Sequence, residues 1–238
     1  MSYVDKIKNH MRLELDDITE FVNDQIMALN LQQYIDTIKI KNVFAGVAAY
    51  SFDDSSIYID ENINESFKKY RNKCFKSNLL ALLSCNNVDL YNLYIINTIY
   101  HEIWHAKQQQ QINENMNNEH SQLLDVSLKL MQRSGSTYNS YHDKYFHESD
   151  AIINSIKLTL AFSKKFNFQR EALVTINKSF ADEILNCFLK IRSTQIVDVE
   201  SHNEYSSPVL ATKALGKYLL DNDWNSNCEH IIDSYIYK

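Results

Sequence analysis

The chain is poor in the residues that interrupt regular structure. Of 238 residues only 3 are Gly and 1 is Pro, where average usage would give roughly 28 of the two together. Collagen-like repeats, Gly/Ser or Pro-rich linkers and turn-dense all-β sandwiches are thereby excluded. The 4 cysteines form no CxxC pair and fall in helix-like segments, which indicates small buried hydrophobes rather than a disulfide framework. Positive charge is also short, with 24 basic against 30 acidic residues and a net charge of -6. Such a field repels phosphate backbones and argues against nucleic acid as a partner. No apolar run of 18 residues occurs, and the first 21 residues carry scattered charges rather than an apolar signal core. The expectation is a chain without signal peptide or membrane insertion, cytoplasmic as made. Export into a host cell without a cleaved signal would leave the same sequence.

What is present is a core-forming composition, 45% hydrophobic and 12% aromatic, patterned mostly at helical spacing. From Val4 to about Ile38 apolar residues recur at Val4, Ile7, Met11, Ile18, Val22, Ile26 and Leu29, which predicts one long or two shorter helices. Between Val43 and Tyr50, and again from Ile57 to Ile59, β-branched and aromatic residues flank an Asp/Ser cluster and predict a β-hairpin containing Gly46. Helices are predicted over 64–84, 88–115, 119–133, 146–166 and 169–192. Ser207-Pro208 resembles a helix start running through Leu220. A polar break at 134–142 holds Gly135. The expected fold is mainly α with a small hairpin or sheet, an α+β chain forming a single domain over 1–238. It comprises a helical arm (1–40), a core (43–165) and a C-terminal helical segment (166–238).

Chemistry concentrates in the segment 95–111, where His101-Glu102-Ile103-Trp104-His105 spells HExxH. On a helix, positions i and i+4 share a face, so the two imidazoles can reach one ion while Glu102 lies beside them. Ile96, Ile99, Ile103 and Ala106 step along an adjacent apolar stripe, which puts the motif inside a periodic helix. A catalytic zinc needs a third protein ligand. Glu148, at the start of a downstream helix, is the candidate, with His120, His142, His147 and Asp150 as neighbouring alternatives. Asp150 could also bond a ligand His from outside the ligand set. The Gln108 to Gln111 run reads as a solvated helix face.

In these residues the chain resembles the zincin metallopeptidases, and among them the gluzincin type, in which HExxH is completed by a downstream Glu. Glu148-Ser149-Asp150-Ala151 matches its ExxA form, and HEIWHAKQ is similar to an HExxHxxQ variant. Gln111 stands where a metzincin third His would be, and Ile152 where the Asp of an ExxxD form would be, so no subfamily follows. The resemblance, over about 43–165, implies a zincin-like core with an HExxH active-site helix. It implies one catalytic Zn²⁺ on His101, His105 and Glu148, with Glu102 as general base and acid. Tyr141, His142 and Tyr145 are candidates for stabilising the oxyanion. The hairpin would receive substrate as an added strand.

The expected function is therefore a zinc-dependent endopeptidase acting selectively on a protein or peptide, an effector or toxin being one form. The rival is a non-catalytic helical interaction module with a structural metal or none. Asp221, Asp223 and Asn225 begin like a calcium loop, but Ser226 replaces its glycine and Ile232 its bidentate Glu. Glu200, His202 and Glu204 read as a polar connection.

Overall fold

The computed structural model describes residues 1–43, 46–74, 87–134, 146–177, 179–180 and 183. They are mostly helical with one small mixed sheet. The described residues of Met1–Gln110 and Asn154–Ser179 form one compact unit, and those of Gln111–Ile153 and Phe180–Lys238 form another. No helix among the described residues is long and apolar enough to cross a membrane.

The first unit opens with two short helices, α1 (Tyr3–Lys8) and α2 (Leu15–Ala28). Ser2 caps α1 by accepting from the Asp5 amide, one of the donors a helix start leaves without an internal partner. Both helices stop where a non-glycine residue turns left-handed, His10 at φ 51° and Asn30 at φ 56°. Behind each, the next amide reaches back across the turn, Met11 N to Lys6 O and Leu31 N to Ile26 O. This is the Schellman closure, which satisfies carbonyls a helix would otherwise leave open.

The helical reading of Val4 to Ile38 therefore ends too late. Its last residues belong to β1 (Thr37–Lys41). β2 (Ala48–Ser51) and β3 (Ser56–Asp60) form the expected hairpin. β3 lies in the middle, antiparallel to β2 with Tyr50 opposite Ile57, and parallel to β1 with Ile38 opposite Ile57. β1 escapes the pattern because it is a five-residue edge strand whose burial is almost nil, with Ile40 48% exposed. Gly46 precedes β2 with no left-handed φ, and a Cβ there would meet nothing closer than the Ala48 carbonyl at 3.9 Å. The hairpin does not depend on that glycine. Helix α3 (Ile63–Cys74) follows the sheet.

The centre of the first unit is the part of α4 (Val88–Glu114) up to Gln110, buried on every face from Asp89 to Ile96. The predicted stripe of Ile96, Ile99, Ile103 and Ala106 is fully buried, each isoleucine contributing about 1.5–3 kcal/mol. Phe21 of α2 packs edge-on to Tyr3, Tyr100 and Phe162. Polar ties add register. Buried Asn92 accepts from the Leu13 amide and donates to the Met11 carbonyl, at 3.0 and 2.9 Å. Asp89 meets the His10 ring at 2.8 Å and accepts from the Gln169 amide at 2.6 Å. The N-terminal arm is thus bonded to the first turns of the HExxH helix. Residues 170–177 are helical.

The second unit contains α5 (Glu119–Ser134) and the first half of α6 (Phe146–Ser163), whose remaining residues from Asn154 belong to the first unit. Here Leu124, Leu128, Phe146, Ala151 and Ile153 are buried. The His120 ring stands edge-on to Phe146 and faces Asp150 at 3.6 Å. The proposed helix start at Ser207-Pro208, the calcium-like run at 221–232 and the cluster at 200–204 lie outside the described residues.

Candidate metal centre

His101 and His105 project from consecutive turns of α4, and their Nε2 atoms converge to 3.2 Å. The rings stand almost perpendicular, with centroids 4.8 Å apart. Two imidazole nitrogens aimed at each other at that distance must share either a proton or a cation, since two lone pairs alone repel. His105 Nδ1 lies 2.9 Å from Gln108 Oε1. An amide oxygen only accepts, so Nδ1 carries the ring proton and Nε2 presents its lone pair, the tautomer a metal requires. With metal–imidazole bonds of about 2.0–2.1 Å, nitrogens 3.2 Å apart subtend about 100–106° at a common centre, close to a tetrahedral angle.

Glu148, in the first turn of α6, completes the group. One donor atom each from His101, His105 and Glu148 lies within 4.8 Å of the others. His105 and Glu148 are 5% and 4% exposed, and His101 is half-buried. The donor set therefore fits a metal ion, and two nitrogens with one oxygen suit a first-row transition metal better than Mg²⁺ or Ca²⁺. Among the described residues no other group of His, Cys, Asp and Glu has this arrangement. Of the alternative ligands, His120 and Asp150 face each other and His147 turns to Ser127. His142 lies outside the described residues, as do Tyr141 and Tyr145.

Glu102 is turned toward the sheet. Its Oε2 accepts the Tyr50 backbone N–H at 2.7 Å. The Asp60 amide donates to the Val47 carbonyl at 2.8 Å, so alternation along β2 directs the backbone groups of Val47 and Ala49 to β3 and those of Ala48 and Tyr50 outward. The base candidate therefore sits at the outer edge of β2. The Tyr50 phenol makes a second hook, bonding Gln109 of α4 and the Tyr34 carbonyl. Burial pushes that phenol up to about 12, so it stays a neutral donor. Phe52, edge-on to Tyr50 with centroids 5.0 Å apart, stands 5.8 Å from the His105 ring.

Sequence reasoning missed this role of Tyr50, because a backbone amide has no sequence signature. It also misread the glutamines as a solvated face. Gln108 is fully buried on His105, and Gln109 holds Tyr50. The signal for Gln108 was its spacing three residues beyond His105, on the same helix face. No family model, curated protein or solved structure matches this chain.

Proposed function

We propose that this chain is a zinc-dependent endopeptidase of the zincin kind, resembling the gluzincins, with His101, His105 and Glu148 as ligands. The observation that carries the reading is the convergence of the HExxH imidazoles with a buried downstream glutamate within 4.8 Å. When bound, a zinc ion supplies Lewis-acid polarisation of a carbonyl and brings the pKa of a water down toward about 7. Everything else falls to the chain's own groups. Glu102 Oε accepts a proton from the attacking water and returns it to the leaving amine. The Tyr50 amide fixes the direction of that carboxylate, and Gln108 holds the tautomer of His105. The outward N–H and C=O groups of Ala48 and the outward C=O of Tyr50 suit an extended main chain laid beside β2. An extended protein segment is therefore the proposed substrate, with side-chain contacts near Phe52 contributing selectivity.

The test is a comparison of new peptide N-termini in extracts treated with wild type and with Glu102→Gln. Defined cleavages are expected with wild type alone. Equal cleavage by both proteins would remove Glu102 from its role. No cleavage by a zinc-loaded wild type, across extracts of several sources, would favour a non-catalytic interaction module.

A further inference from the structure

Behind the third ligand lies a buried chain of side chains that the proposed reaction does not use. His147 is fully buried and Ser127 of α5 is 1% exposed. Ser127 Oγ accepts the His147 backbone N–H at 3.3 Å and sits 2.8 Å from Nδ1 of the same residue. A hydroxyl has one proton to give and two lone pairs. With one lone pair taken by the backbone N–H, a role for every atom follows when the Ser127 hydroxyl donates to Nδ1. The ring proton then resides on Nε2. That nitrogen lies 3.4 Å from Glu148 Oε1, a little beyond a closed N–H···O bond of about 2.7–3.2 Å, and near enough for the N–H dipole to bias the carboxylate.

We infer that His147 is a positioning residue for the third ligand: set in its Nε2–H tautomer by Ser127, it turns its N–H dipole toward Glu148 Oε1 and biases the orientation of that carboxylate. The inference rests on the metal-site reading above. His147 contributes no atom to the ligand group and acts through Glu148. Carboxylate ligands are commonly hydrogen-bonded in turn, and loss of such a partner weakens metal binding about 10–100-fold. The arrangement makes the affinity of the site depend on Ser127 of α5, a helix that supplies no ligand.

The experiment uses the full chain stripped of metal, with Zn²⁺ alone as probe in competition with a chromophoric chelator. His147→Leu is expected to bind zinc about 10–100-fold more weakly, while the melting temperature and far-UV spectrum of the metal-free protein stay close to wild type. His147→Gln, whose amide can accept from Ser127 and donate to Glu148, should recover much of the affinity, and Ser127→Ala should fall between wild type and the Leu variant. Ring ¹⁵N shifts of His147 in the metal-free wild type, which need no variant, should report the Nε2–H tautomer. An Nδ1–H tautomer, or zinc affinity unchanged in both Ser127→Ala and His147→Leu, overturns the inference while leaving the metal site standing. Failure of the wild type itself to bind zinc overturns both.

Discussion

Replacing Gln108 by Leu is the sharpest probe of how the helix prepares its second histidine. Gln108 is fully buried and its Oε1 lies 2.9 Å from His105 Nδ1. Leu has similar bulk and no acceptor, so the substitution removes the atom that keeps the ring proton on Nδ1. The proton can then move to Nε2, where it competes with the metal for the same lone pair. Loss of such an outer partner weakens binding about 10–100-fold, or about 1.4–2.7 kcal/mol. Stability of the metal-free protein should change less, by about 1 kcal/mol, since a net hydrogen bond is exchanged for added apolar contact. Competition titration of the metal-free variant against a chelator measures the first quantity, and urea unfolding measures the second. Gln108→Glu supplies the control, because a carboxylate still accepts from Nδ1 and should leave zinc affinity at or above wild type. Wild-type affinity in the Leu variant would refute the argument that Gln108 sets the tautomer. A loss of several kcal/mol in the metal-free protein would assign Gln108 to the fold rather than to the site.

Three further outcomes follow from the same geometry. Asn92→Ala strands the Leu13 amide and Met11 carbonyl that its side chain now satisfies, and should lower unfolding free energy by about 2–4 kcal/mol in a urea titration. An unchanged midpoint would mean the N-terminal arm is not fastened to α4 in this way. Glu148→Ala should abolish stoichiometric zinc binding, and retention of full occupancy in metal analysis would place the third ligand elsewhere. Burial raises the Tyr50 phenol from 10.0 to about 12, so above pH 10 the folded state keeps a proton that the unfolded chain releases. The stability contributed by that phenol is full below pH 10 and declines as pH rises toward 12. Tyr50→Phe should therefore flatten the alkaline limb of a stability-against-pH curve, and an identical limb would count against burial as the cause.

The HExxH helix was legible because its signals are local and periodic. His101 and His105 are separated by one turn, and the apolar stripe from Ile96 to Ala106 runs beside them at helical spacing. The hairpin was legible from its two apolar runs around a polar cluster. β1 was harder. Its alternation, Ile38-Lys39-Ile40-Lys41, is a period-two signal, but it spans only a few residues beside a long helical pattern and buries little. Its pairing with β3 is also fixed by contacts nineteen residues away, Thr37 against Ser56. The site's supporting contacts divide in the same way. Gln108 on His105 is a local i,i+3 relation that spacing could have disclosed. The Tyr50 amide on Glu102 and Ser127 on His147 depend on tertiary packing across fifty-two and twenty residues, and no spacing rule encodes them.

Whether His101, His105 and Glu148 together hold one metal ion is decided by metal analysis of purified wild-type protein after exhaustive dialysis. About one equivalent of zinc is expected, retained in Glu102→Gln and lost in Glu148→Ala. Less than about half an equivalent in the wild type after zinc loading, or equal metal content in wild type and Glu148→Ala, would contradict it.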